Sequence, residues 1–445
     1  MKLIAASILL ACVCIGSVSM FAGSVAWSDE PQWLSWSELP PVPDELGYAG
    51  PFAGVHNGAL IMAGGANFAK PVWENEKRWH DQIFVLAKSD LGKDGTKFEW
   101  KDGGKLSTPI AYGSAVSTAD GVVCIGGSDS DDTFADVFLL QWDGEKVTSQ
   151  RYPSLPRPCA HGAATLIDET IYLAGGQHDA SLQSTMSTLW SLDLSQRGDA
   201  EEFVWKGLPP CPGPSRAFNL TVAQHNGYND CVYVISGRRQ HGDEVEFLKD
   251  VWEYTPATQQ WRERKAAPRC VMAGTGIGFG QSHLFVLGGA DGSLFLKGNE
   301  LKDDHPGFVK KSLAYHTITD TWIEAGPVPQ NQVTTIAVKW DGSIIIPSGE
   351  IRPRVRSPKV YRVTMTSPGR DFGMINYAVL FGYLLAMVST SLTKTRAQTI
   401  SSEAARRFRG GRPAVASLPP CSARSRLPAF HQNRLPRTGC IRLAI

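Results

Sequence analysis

"IYLAGG", residues 171–176, is an apolar run closed by two glycines. Alone it reads as a buried strand entering a turn that needs conformationally permissive residues. It becomes decisive because it recurs, as "ALIMAGG" (59–65), "VVCIGG" (122–127), "VYVISG" (232–237), "LFVLGG" (284–289) and "IIIPSG" (344–349). Those are six copies, with turns spaced 62, 49, 61, 52 and 60 residues apart. Repetition at such a period marks one supersecondary unit stacked against copies of itself.

Each copy is followed by a second apolar strand: "DQIFVLA", "ADVFLLQW", "STLWSLDL", "KDVWEYTP", "KSLAYHTI" and "PKVYRVTM". A third element, usually a Trp before a proline-rich turn, also recurs six times, at Trp36, Trp100, "SQRYPSLPRP" (without Trp), Trp205, Trp261 and Trp322. The first of these precedes the first glycine pair, and none follows the last. The N-terminal copy must therefore complete the sheet begun by the C-terminal unit, which closes a ring and removes its exposed edges. Glycine pairs, an aromatic and a Trp at this period resemble the Kelch repeat. The expected fold is all-β, a six-bladed Kelch β-propeller over residues 32–366 with four strands per blade. Such a scaffold hosts binding modules and enzymes alike, so function must come from a site.

The chain has 445 residues, 42% hydrophobic and 20% charged, with 44 Gly and 28 Pro, as suits many short strands joined by turns. Its net charge of +1 hides a split: residues 389–445 carry ten Arg and one Lys against one acid, Glu403, so residues 1–388 stand at −9. A mildly acidic body argues against a nucleic-acid partner. Residues 1–26 have the parts of a secretory signal peptide: Lys2, an apolar stretch, and small Ser24 and Ala26 at a cleavage site. An uncleaved signal anchor is the competing reading. Either makes the propeller exported, periplasmic or extracytoplasmic. Between those segments lie Cys124, Cys159, Cys211, Cys231 and Cys270; none are at zinc-ligand spacing, export would permit disulfides though five is odd and no pairing follows, and buried free thiols are the bland reading.

Met374–Val388 is uncharged, and at 15 residues it reads as the start of a transmembrane helix and a means of membrane attachment. Residues 389–445 then turn abruptly rich in Arg, Ser, Pro and Ala, reading as a basic tail that is disordered or translated out of frame. "INYAVLFGYLLAMV" resembles the first helix of the sodium:solute symporters to which some extracytoplasmic Kelch domains are joined. That resemblance implies a truncated fusion and a link to sodium-coupled uptake.

Polar residues just after the glycine pairs, at one mouth of a propeller, are the natural site candidates: Asn67, Asp129, His178, Arg238, Arg239, Asp291 and Glu350. Glu350 differs from the rest in its company, "IIIPSGEIRPRVRSP" (344–358). It leaves a buried strand and is followed by Arg352, Arg354 and Arg356, which would share one side of an extended chain. Opposite charge nearby favours a charged carboxylate and burial opposes it. A glutamate so placed can act as a base beside an anion clamp, and Arg binds carboxylates bidentately. The bland reading is a surface ion-pair cluster of little consequence.

The same stretch is similar to the Gly-Glu-x-Lys-Pro-x-x-Arg segment of the N-acetylneuraminate epimerase (sialic acid mutarotase) family. Gly349, Glu350, Pro353 and Arg356 match, and Arg352 stands in place of the Lys. Residues 48–83 resemble another segment of that family that follows the Glu motif there and precedes it here, so the blades look circularly permuted. The resemblance implies exchange between the α and β anomers of N-acetylneuraminic acid or a related acidic sugar, without metal or organic cofactor. It places the proton acceptor at Glu350 and the substrate-contacting arginine at Arg356. Arg352, Asn67, Asn75, Glu76 and His80 would line the pocket, and Arg354 would be a solvated neighbour. The competing function is a non-catalytic extracytoplasmic Kelch binding or scaffold module. One stretch, "KDGTKFEW" (93–100), resembles a sialidase Asp-box but does not recur, and neither a copper-radical ligand set nor a G-x-S-x-G elbow is found.

Overall fold

The computed structural model describes residues 33–90, 96–366 and 374–408. The signal segment at 1–26 and the tail beyond 408 lie outside the described residues. Contacts divide the chain into two units, residues 1–368 and 369–445.

The first unit is a ring of six four-stranded antiparallel sheets. Five blades are continuous in sequence, spanning 52–105, 114–152, 163–208, 220–264 and 276–327. The sixth takes Val338–Trp340, Ser343–Pro347 and Val360–Met365 from the C-terminal side and Leu34–Leu39 from the N-terminal side. Leu34 pairs with Met365 and Leu39 with Val360, so the expected ring closure is present, with Trp36 opposite Val363.

The glycine-ended runs are the second strands of their blades. They read as continuous apolar runs because both faces are covered by neighbouring blades. In the first blade Leu60 and Met62 face the core shared with the sixth blade, while Ile61 and Ala63 face the core shared with the second. Six such cores, one at each blade interface, go round the ring. Burial at this scale, about 1.5–3 kcal/mol per large apolar side chain, is what holds it together.

The Trp and proline-rich turn act together at the outer strands. Trp100 Nε1 donates to Pro40 O (2.9 Å), Trp205 to Pro153 O (2.9 Å), Trp261 to Pro209 O (2.8 Å) and Trp322 to Lys265 O (2.9 Å). Each latches one blade onto the turn of the blade before it. Where the repeat lacks Trp, Tyr152 is buried instead, edge-on to Phe203.

A second ring lies at the axis. Gly50, Tyr112, His161, Phe218, Ala273 and Thr334, which lead into the innermost strands, all have φ between 52° and 65°. Each donates its backbone N–H to the carbonyl of its counterpart one blade back, and Gly50 N–H donates to Thr334 O, at 2.6–2.8 Å throughout. The left-handed conformation costs a non-glycine residue about 1–2 kcal/mol; here it turns every N–H along the ring. This girdle sits at the mouth that carries the glycine turns, above a channel cavity of about 410 Å³.

Cys124, Cys159, Cys211, Cys231 and Cys270 are buried and unbridged, as the bland reading has them. In the second unit, Met374–Phe408 is a single helix. Residues 389–408, read above as part of the basic tail, are its second half; Ser, Thr, Gln and Ala there leave nothing to break a helix, and composition alone hid the continuity. Tyr377–Ser401 is long and apolar enough to cross a membrane by length and composition.

Candidate active site

Beyond Pro347 the chain must turn sharply. Ser348 takes φ 56° and Gly349 φ 126°. The latter is closed to L-residues, and a Cβ there would lie 2.9 Å from Gln332 Cβ. Ser348 can replace the usual first glycine because its hydroxyl is used: it accepts from Tyr48 N–H (2.8 Å) and lies 2.7 Å from Ser357 O. Glu350 is then fixed by reciprocal backbone bonds to Val333, both 2.8 Å.

The next residues form a small hairpin, Glu350–Arg352 against Val355–Arg356, with Glu350 opposite Arg356. Its turn puts Arg354 at φ 65°. The three arginines therefore do not share one side, because strand alternation fails across a left-handed turn. Arg352 points away to an ion pair with Asp303 (2.9 Å). Arg354 is not a solvated neighbour. Its guanidinium lies over Phe68 (4.9 Å) and Trp73 (5.2 Å), and its backbone N–H donates to one Glu350 oxygen (3.1 Å). Arg356 is buried, with Nη2 3.5 Å from the other Glu350 oxygen. Its Nε donates to Ala66 O (3.3 Å), and Nη2 also reaches Tyr112 OH (3.5 Å).

Glu350 and Arg354 line a cavity of about 780 Å³ at the girdle end of the propeller, within the usual range for small-ligand sites. Its other walls come from the second-to-third-strand loops of other blades: Trp73 from the first, Arg238 from the fourth, Asp291, Phe295 and His305 from the fifth, with Phe218 of the girdle as floor. Gly307 N–H donates to His305 Nδ1 (3.0 Å), which leaves the ring hydrogen of the neutral form on Nε2. Burial, and then Arg352, lower the His305 pKa. Burial pushes the Arg238 pKa down to about 10, with Glu350 opposing the shift.

The other expected pocket residues sit elsewhere. Asn67 is buried, donating to Gly47 O (3.1 Å) with its Oδ1 2.8 Å from His80 Nε2, so this pair braces the first-blade hairpin Ala66–Phe68/Lys77–Trp79. Asn75 Nδ2 caps its own loop at Pro71 O (2.9 Å), and Glu76 is exposed. None of the four, nor Arg352 or Arg356, lines the cavity with Glu350. Arg238 and Asp291 were visible as polar residues after glycine turns. Trp73, Phe295 and His305 carried no such signal, because loop length and direction bring them in.

Fold and site together define a closed six-bladed propeller with a carboxylate–arginine pocket at one mouth. Residues 22–149, which include the first blade and nearly all of the second, match the family model described as N-acetylneuraminate epimerase. The N-acetylneuraminate epimerase of Brucella suis (strain ATCC 23445 / NCTC 10510) is 36% identical over 132 residues, 26% of this chain and 31% of that protein. That of Salmonella enteritidis PT4 (strain P125109) is 35% identical over 117 residues, 23% of this chain and 28% of that protein. The chain thus spans less than a third of the length of these relatives. A solved structure titled "Structure of YjhT" superposes with a TM-score of 0.56 at 14% identity, covering 74% of this chain and 98% of that one. That likeness speaks for the fold alone. Glu350 lies outside the residues matched to the family model.

Proposed function

We propose that the chain is a sugar mutarotase that interconverts the α and β anomers of N-acetylneuraminic acid or a related acidic sugar. One observation carries this reading: the Glu350 carboxylate lines the mouth cavity with one oxygen on Arg354 N–H and the other against Arg356. It is held in place, yet it borders space large enough for a sugar. The partial match to epimerases supports the substrate class. A changed order of blades also limits a linear alignment to one run of blades, which is how the matches behave.

The chemistry needs one base and one acid. Glu350 takes the anomeric hydroxyl proton as the carbon–ring-oxygen bond breaks, giving the open-chain carbonyl. The departing ring oxygen takes a proton from water, with His305 Nε2–H as a hydrogen-bond donor on the same cavity wall. Rotation next to the carbonyl presents its other face. Reclosure returns both protons, so the cycle is neutral. Trp73, Phe218 and Phe295 make part of the cavity wall apolar.

The apolar segment Tyr377–Ser401 and the N-terminal signal features favour an exported, membrane-attached protein. A mutarotase there would present the anomer that a sodium-coupled transporter accepts. The test of the activity is NMR of one N-acetylneuraminic acid anomer mixed with the full chain in detergent. Exchange well above the uncatalysed rate is expected. Binding without acceleration would instead make the propeller a sugar-binding module.

A further inference from the structure

Among the described residues, Arg238 is the one cavity-lining arginine whose donors are unclaimed. It stands on the fourth-blade hairpin Asp230–His241/Glu244–Thr255, whose distal part is offset by a register shift between Ile235 and Gly237. Ser236, at φ 60°, makes that bulge, and its hydroxyl bonds both Leu248 O and Val271 N–H at 2.8 Å. A bulge of this kind re-aims the side chains beyond it. Here it puts the Arg238 guanidinium 4.1 Å from the Phe218 ring centre and 4.6 Å from that of Phe295. Phe247, edge-on to Phe295 at 5.5 Å, backs the stack.

Between those rings Arg238 Nε is buried with no acceptor. Among the described residues no ion pair or side-chain hydrogen bond engages this guanidinium. Glu350 attracts this cation without bonding it, and a desolvated cation with no hydrogen-bonded anion is costly to keep. The other two arginines near Glu350 are committed. Arg356 directs Nη2 and Nε to Glu350, Tyr112 and Ala66; its Nη1 is buried without a partner, but Arg356 does not line the cavity. Arg354 lies between Phe68 and Trp73 and donates to Val72 O (3.4 Å).

We propose that Arg238 is the specificity residue that binds the carboxylate of an acidic sugar, and that Arg356 is a positioning residue for Glu350. This rests on the mutarotase reading for the substrate class and moves the clamp from the residue the family motif implies to one on another blade. The guanidinium would receive the ligand carboxylate, while the rings on either side hold its plane. Lysine, a point charge without the planar fork, would replace it poorly.

The experiment compares the full-length wild type with Arg238→Met, Arg238→Lys and Arg356→Met, using N-acetylneuraminic acid and its neutral methyl ester. For Arg238→Met the KM of the acid should rise about 10- to 100-fold, as for a lost charge-assisted hydrogen bond. Its kcat and the KM of the ester should hold within about threefold. Arg238→Lys should fall between. Arg356→Met should lower kcat for both sugars alike. The thermal midpoint of ligand-free Arg238→Met should not fall, since a merely structural arginine would lower it. An unchanged KM for the acid, or equal losses for acid and ester, overturns the proposal. Should the wild type not catalyse exchange, the mutarotase reading fails, and calorimetry decides the clamp separately. Binding of the acid that Arg238→Met abolishes upholds it; no binding of the acid to wild type overturns it.

Discussion

The pair Glu350–Arg356 invites a double-mutant cycle. Glu350→Gln keeps an oxygen for the Arg354 N–H but leaves Arg356 facing an amide. Arg356→Met keeps most of the side-chain volume against Phe68 and removes the cation. The two groups are 3.5 Å apart, with side chains 18% and 4% exposed. At an effective dielectric of about 20, unit charges at that distance attract by roughly 5 kcal/mol. Desolvation offsets most of this, so we expect a coupling of about 1–3 kcal/mol. Each single variant should lose about 2–4 kcal/mol of stability because it strands a buried partner, and the double variant should lose less than their sum. Guanidinium unfolding of the four proteins, followed by tryptophan fluorescence, gives the cycle. In parallel, Glu350→Gln should slow anomer exchange by about 10²- to 10⁴-fold, the span expected for losing a general base. Losses that add within about 0.5 kcal/mol would show that Arg356 does not hold Glu350, and full exchange activity in Glu350→Gln would remove Glu350 from the chemistry.

The same geometry sets further expectations. Burial, then Arg238 and Lys77, lower the His161 pKa well below its usual 6.5. The unfolded chain therefore binds a proton at His161 that the folded chain refuses, and stability should fall as pH drops below about 6.5, by up to about 1.4 kcal/mol per pH unit; unfolding at pH 7.5 and 5.5 with His161→Gln as control measures it. Leu34, 5% exposed in the core between the fifth and sixth blades, lies on the closing strand, and Leu34→Ala should cost about 2–4 kcal/mol in the same unfolding assay. Trp205→Phe removes the 2.9 Å bond to Pro153 O and should cost about 1 kcal/mol by that measurement. Gly349→Ala forces a Cβ into φ 126° beside Gln332, so exchange activity should drop as Glu350 shifts, together with about 1–3 kcal/mol of stability.

The acidic body and the cavity have opposite characters, and the ring explains how both fit one chain. Residues 1–388 carry net negative charge, yet Arg238 and Arg354 both face the mouth cavity, with Arg356 behind Glu350. They come from two blades. The girdle joins Phe218, which floors Arg238, to Thr334, next to the Val333 that pairs with Glu350, through only Ala273. A positive site thus forms by convergence on the axis: the basic stretch 352–356 announces Arg354 and Arg356, and Arg238 joins them from another blade.

The same contrast decides how much could be read from the chain. Period, glycine turns and Trp positions each repeat six times, so the sheet order and the closure by residues 34–39 were legible in the sequence itself. Glu350 was legible because its whole setting, Ser348 to Arg356, is local. Local reasoning then misplaced the arginines. Arg352, Arg354 and Arg356 alternate only if the chain stays extended, and the left-handed Arg354 reverses it. Asn67 looked like a pocket residue because it follows a glycine pair, and His80 because it shares with Asn67 the segment that resembles the epimerases, but a 2.8 Å contact to each other absorbs them into the scaffold. Arg238 shows the opposite failure. In sequence it is one more polar residue after a turn, beside an equally basic Arg239. Arg239 pairs with Glu246 across the hairpin, whereas Arg238 meets Phe218 from its own blade's entry and Phe295 from the next blade. Only the bulge at Ser236 and the fifth-blade loop separate their fates, and both depend on contacts across blades that no window of sequence contains.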